Sequence, residues 1–264
     1  IWAIDCFIGF YLTLPSRRRA SAARPAAVAR ELDRGFMARW MPAWKIKTSG
    51  SAYRINFDIH RAFGLWTWAL LFIIAFTAFS LNLYFEVFSP IMRSVSNYTP
   101  SPFEQRVAAP LDRPIVPKLS YADIIERAEA EARRRGWTTP IGAVSYSTQY
   151  GIYSPRFFNP DDDHGVGGVG PSRLYYDGLD GRLLGERLPW VGTAADIFVQ
   201  AQFPVHSGRI LGLPGRILIS LMGLVVAALS VTGVVIWSRK RRARELAKAR
   251  AAPSRVGTHS VPAE

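Results

Sequence analysis

Two of the four histidines in this chain stand where an imidazole can do chemistry. His60 opens the stretch His60-Arg61-Ala62-Phe63-Gly64-Leu65-Trp66, and His206 lies in Phe203-Pro204-Val205-His206-Ser207-Gly208-Arg209; each comes just before a long apolar run. Imidazole nitrogen ligates transition metals, haem iron among them, and a pair of imidazoles on one iron makes a closed site suited to electron transfer rather than to oxygen chemistry. Arg61 and Arg209 lie one and three residues away, and a guanidinium can hold a carboxylate through two parallel hydrogen bonds. On spacing alone the simpler account stands: histidines at a membrane surface hydrogen-bond headgroups or helix ends, and arginines there bind headgroups or follow the charge bias of the membrane.

The apolar runs must position these groups. Ile217–Trp237 is 21 residues without an ionisable side chain, and so is Leu65–Phe85. At about 1.5 Å per residue each would reach roughly 30 Å as a helix, the thickness of a bilayer's hydrocarbon core. Trp66, Trp68, Tyr84 and Phe85 cluster at the ends of the earlier run, where an aromatic belt belongs. Ile1–Leu14 is apolar but too short to cross, and its charges follow rather than precede it, unlike a signal peptide. It reads as the second half of a transmembrane helix cut off upstream. His60 and His206 then fall at opposite ends of their spans and cannot share one iron.

Charge sorts the segments. Residues 15–61 carry 11 Lys and Arg against 3 acids, residues 238–264 carry 8 against 2, and residues 86–207 carry 12 against 14. The formal excess of +13 is therefore confined to the segments that flank apolar spans. That is the positive-inside pattern, and it argues against nucleic acid as a partner. The single Cys6 excludes an internal disulfide and any multi-cysteine metal site. The expected order is a partial span (1–14), a basic cytoplasmic linker (15–62), a span (63–88), an irregular proline-rich connector (89–118), a small α+β domain (119–190), a connector leading back to the membrane (191–212), a span (213–238) and a basic cytoplasmic tail (239–264), disordered from residue 243. Within the linker, Trp40 and Trp44 suit the headgroup level. Within the domain, Ser120 to Asp123 reads as a capping box opening a helix that Gly136 stops. Strands follow at 141–148, 151–158, 174–176 and 182–184, the last two joined across Asp177–Gly181 as a hairpin.

Other candidates are weaker. Asp161-Asp162-Asp163-His164 offers hard ligands in a row, but consecutive residues rarely converge on one metal and no glutamate completes a calcium loop; a solvated loop is the better account. Gly208, Gly212 and Gly215 follow no strand and so form no phosphate loop; like Gly223 and Gly233 they permit close approach of backbone to a flat ligand or a helix. Asp5, inside an apolar stretch, defaults to a functional hypothesis. No nucleophile–histidine–acid set is present.

The two histidine motifs, His60 to Trp66 and Phe203 to Arg216, with the run ending Val231-Thr232-Gly233-Val234-Val235-Ile236-Trp237 before Arg239–Arg242 and the α+β segment between them, resemble the PepSY-associated transmembrane family. That resemblance covers nearly the whole chain. It implies a membrane α-helical fold with an inserted extracytoplasmic PepSY-like domain over 119–190, in a bacterial inner membrane with 86–207 in the periplasm. Some members resemble ferric-siderophore reductases that hold two b-type haems between histidine pairs. By that likeness His60 and His206 are axial ligands to haem iron, with Arg61 and Arg209 beside the haem and the partner histidines supplied upstream. Two haems b per full-length protein would then be only poorly retained by this stretch alone. The implied activity is ferric-chelate reduction, electrons passing from an unidentified donor to a periplasmic acceptor such as a ferric siderophore. The alternative is a membrane-anchored PepSY module that senses or inhibits a peptidase, without redox activity.

Overall fold

The computed structural model describes residues 2–15 and 35–251. Two compact units make up the chain: residues 1–69 with 222–264, and residues 70–221.

In the first unit, helix α1 (Trp2–Thr13) and the short α2 (Phe36–Trp40), continued by a 3-10 turn over Met41–Trp44, come together through aromatic rings. Trp40 packs edge-on to Phe10 at 5.7 Å and its indole N–H donates to Thr13 Oγ1 at 3.3 Å. Residues 36–44, expected as part of a plain linker, are therefore helical. Aromatic burial against α1 favours that order over solvation. The basic stretch 16–34 lies outside the described residues. Helix α3 (Ala52–Trp66) is capped by Ser51, whose hydroxyl accepts from the Arg54 N–H.

The uninterrupted span expected over 63–88 is instead broken. Helix α3 ends at Trp66, α4 (Trp68–Asn82) begins two residues later, and the pair bends by 67° at Thr67. The break falls where Thr67 leaves helical backbone space at φ −104°, ψ 2°, with its hydroxyl donating to the Phe63 carbonyl at 2.7 Å. Beyond α4, Tyr84–Phe88 forms a π-turn and Ser89–Val95 a further helix, α5, so the connector expected to be irregular from residue 89 starts as helix.

The second unit contains the sheet. Helix α6 (Tyr121–Arg134) has the expected capping box between Ser120 and Asp123, and Gly136 follows it at φ 70°. Strands β1 (Ile141–Ser147), β2 (Ile152–Phe157), β3 (Ser172–Asp177) and β4 (Leu183–Arg187) form one antiparallel sheet in sequence order. Ile124, Ala128 and Ala132 of α6 pack on Tyr153, Phe157, Leu174 and Tyr176, alternate positions of β2 and β3, which is why the α6 apolar stripe is narrow. The ends of this helix are tied electrostatically. Arg134 and Arg135 hydrogen-bond Glu131 and hold its carboxyl down at about 2.

Residues 191–212, expected as a connector, contain helix α7 (Ala194–His206) with its own capping box from Thr193 to Asp196. The Asp196 carboxylate also accepts from the Thr99 N–H at 2.8 Å and the Thr99 hydroxyl at 3.0 Å. Burial opposes its ionisation, but the bonds from Thr99 and Thr193 prevail and hold it below the usual carboxylate range. Helix α8 (Gly212–Ala251) is 40 residues long, about 60 Å by helical rise. It is the one described helix long and apolar enough to cross a membrane by itself, and only 11% of its apolar window is buried. The tail expected to be disordered from residue 243 stays helical to Ala251, and 252–264 lie outside the described residues.

Candidate functional site

Each of the two histidines is held through one nitrogen by a threonine hydroxyl. In the first unit, His60 on α3 places Nδ1 2.9 Å from Thr232 Oγ1 on α8. In the second, His206, the last residue of α7, places Nδ1 2.9 Å from Thr77 Oγ1 on α4. Both imidazoles are half-buried.

The threonines decide which nitrogen carries the proton. Thr232 Oγ1 lies 2.8 Å from the Ala228 carbonyl oxygen, and Thr77 Oγ1 lies 2.8 Å from that of Ile73. A hydroxyl has one proton; given to the i−4 carbonyl, it leaves only lone pairs for the imidazole. In that arrangement Nδ1–H is the donor to the hydroxyl, and the lone pair falls on Nε2. This is the tautomer that a metal-ligating histidine requires, fixed by a hydrogen bond on its other nitrogen.

A second bond braces each histidine's helix. Asn56, one turn before His60, donates from Nδ2 to the Thr232 carbonyl at 3.2 Å. Gln202, one turn before His206, accepts from the Ser80 hydroxyl at 2.9 Å, and Ser80 is fully buried. Gly233 completes the first arrangement: a Cβ built there would stand 3.2 Å from His60 Cε1, so glycine lets α8 reach the imidazole. Gly223, read beside it in the sequence, would meet nothing within 4 Å. Gly208 and Gly215 serve each other, since a Cβ on Gly215 would lie 2.0 Å from the Gly208 carbonyl oxygen; the close approach expected of them is to their own loop.

Arg61 is engaged by protein. Its Nη2 donates to Asp58 Oδ1 at 2.9 Å and to the Pro42 carbonyl at 2.7 Å. Asp58 is fully buried and also takes Arg54 Nε at 3.2 Å. These bonds give Arg61 a structural part: burial of a carboxylate needs paired charge, and two arginines supply it. Arg209 sits 5.8 Å over the ring of Phe203, and a Cβ on Gly168 would overlap its stem at 2.5 Å. No ion pair to Arg209 is present among the described residues. His164 pairs with its neighbour Asp163 at 2.7 Å, and Asp162 accepts from the Gly165 N–H at 3.0 Å, so that loop closes on itself. Among the described residues no three His, Cys, Asp or Glu side chains converge as a bare metal ion would need. Asp5 is exposed on α1.

Sequence reasoning passed over Thr77, Ser80, Thr232 and Asp58. The signal was present: Thr77 and Ser80 are polar residues three apart within an apolar run, and Asp58 is flanked by Arg54 and Arg61 at helical spacing.

The chain thus combines one largely unburied apolar helix, α8, long enough to cross a membrane, with a small antiparallel sheet packed on a helix. Its family is shown by comparison: the PepSY-associated TM region model matches residues 1–240, and the chain belongs to that family. No curated protein matches the chain.

Proposed function

We propose that the protein is an integral membrane oxidoreductase of the bacterial inner membrane, in which His60 and His206 each supply one axial ligand to a b-type haem. The observation that carries this reading is the shared geometry: each Nδ1 lies 2.9 Å from a threonine hydroxyl that is already bonded back to its own helix, an arrangement that suits Nε2 as the ligating nitrogen. Gly233 supports it, because it keeps the space beside His60 free of a side chain. The donor set fits the group, since haem iron takes neutral imidazole. When bound, haem supplies one-electron redox chemistry.

The chain's own residues orient and insulate. Thr232 and Thr77 fix ring tautomer and azimuth, and Asn56 and Gln202 hold the helices in register behind them. The charge pattern supports an orientation with 15–62 and 239–264 in the cytoplasm and 86–207 in the periplasm, with the α3–α4 pair and α8 crossing. Electrons would then enter from a cytoplasmic donor and leave to a periplasmic acceptor, for which a ferric chelate such as a ferric siderophore is the class implied by family likeness.

The test is a dithionite-reduced minus oxidised absorbance spectrum of the full-length protein purified in detergent from haem-replete cells. Sharp b-type bands that lose one component in His60→Ala and the other in His206→Ala, and that persist in His164→Ala, are expected. A flat spectrum from well-folded protein would overturn the reading and leave a membrane-anchored PepSY binding module.

A further inference from the structure

Away from the histidines, one feature of the unit formed by residues 70–221 is left unexplained by its internal contacts. Arg156, Arg173 and Arg187 are register partners across β2, β3 and β4, so three guanidinium groups stand in a line on one face of the sheet. It is the face opposite α6, because the intervening residues Phe157, Leu174 and Tyr176 belong to the α6 core. Like charges directly opposite one another destabilise a sheet. Among the described residues none of the three forms an ion pair, and the Nε atoms of Arg156 and Arg173 are buried without an acceptor. Glu186, next to Arg187 in sequence, does not neutralise the row. It points to the other face, where Arg135 holds it.

The row runs into a cavity. Arg173 and Arg187 line a space of about 700 Å³ that is also walled by Tyr84, Tyr98, Tyr175 and Phe203. That volume is in the range of small-molecule sites, and an apolar wall with a few convergent polar groups is their usual make-up. Two acids also lie on its lining, and both are committed elsewhere: Asp196 to Thr99 and Thr193, and Glu186 to Arg135. The cavity is therefore positive on one side and aromatic on the other.

We infer that this cavity binds an oxyanion, a phosphate or carboxylate borne on an aromatic or apolar body. Arg173 and Arg187 take the charged group, and Tyr84, Tyr175 and Phe203 contact the body. Guanidinium suits planar or tetrahedral oxyanions because its donors form a fixed fork. A bound anion also relieves the repulsion between Arg173 and Arg187, while Arg156, outside the cavity lining, rests 5.9 Å over the Phe158 ring. The same chemistry is offered by a soluble anion and by an anionic lipid headgroup.

The experiment is calorimetric titration of the full-length protein in neutral detergent with two probes, phenyl phosphate and dihexanoyl phosphatidylglycerol, with phenol and dihexanoyl phosphatidylcholine as uncharged and zwitterionic controls. Saturable binding of either anionic probe that weakens about tenfold in Arg187→Gln or Arg173→Gln and weakens with added salt is expected, with Arg113→Gln unchanged. Binding of phenyl phosphate alone identifies a soluble anion as the source, and binding of the phospholipid alone identifies a lipid. Arg187 is exposed, so Arg187→Gln should fold even if Arg173→Gln does not, and Arg187→Lys should restore part of the affinity. No binding of either probe, or binding undiminished in the folded Arg187→Gln variant, would overturn the inference.

Discussion

His206 Nδ1 and Thr77 Oγ1 are 2.9 Å apart, and His60 Nδ1 and Thr232 Oγ1 repeat both the partners and the distance in the other unit. In each case the threonine hydroxyl is already bonded back to its own helix, which suits the imidazole as the donor through Nδ1.

Removing the hydroxyl should therefore act on the ligand and not on the fold. Thr77→Val and Thr232→Val each keep shape while deleting the acceptor for Nδ1–H. Loss of such a partner weakens metal-centre binding by about 10–100-fold. Haem retained per protein and midpoint potentials, measured for each variant, should show one component weakened in Thr77→Val and the other in Thr232→Val, with Thr→Ser restoring both.

The glycines beside the histidine provide a steric contrast. Gly233→Ala places a methyl 3.2 Å from His60 Cε1 and must push the ring aside, whereas Gly223→Ala meets nothing within 4 Å. The first change should remove the His60-dependent spectral component, and the second should leave the spectrum unchanged. Equal effects would show that the close contact has no role.

Asp58 holds Arg61, Arg54 and, more weakly at 3.5 Å, the Lys47 N–H around one buried carboxylate. Asp58→Asn leaves two guanidinium groups without their counter-charge. Arg54 is half-exposed and recovers water, so most of the loss comes from Arg61. A cost of about 1–3 kcal/mol is expected, read as lower resistance to denaturant in detergent, with a smaller effect for Arg54→Gln than for Arg61→Gln.

The sheet domain should weaken in acid through Glu131. Its folded carboxyl is held at about 2, below its ordinary 4.5, first by Arg134 and then by Arg135. A depressed carboxylate stabilises the fold above its unfolded value and loses that contribution as pH falls through the folded one. Stability of the domain, followed by fluorescence of Trp137 packed on Phe157, should therefore decline between roughly pH 4.5 and 2. Glu131→Gln should flatten that decline.

Much of this was legible from local patterns. Serine three residues before aspartate ahead of an apolar stripe specifies the start of α6, and alternation bounded by glycine specifies the four strands, because capping and side-chain alternation depend on near neighbours. The uncharged run 217–237 lies wholly within α8 for the same reason, since helix period and apolar length are properties of one segment. His60 and His206 could be singled out by type and motif. What the chain order does not contain is which residue meets which. The role of Arg61 turned on a carboxylate three residues away whose burial is set by packing. The partners of the histidines, 129 and 172 residues distant, were brought within hydrogen-bond reach only by helix packing. Sequence determined α6, the strands, the apolar run of α8 and the candidate ligands; tertiary structure decided what each imidazole meets, because that depends on the atom across the contact.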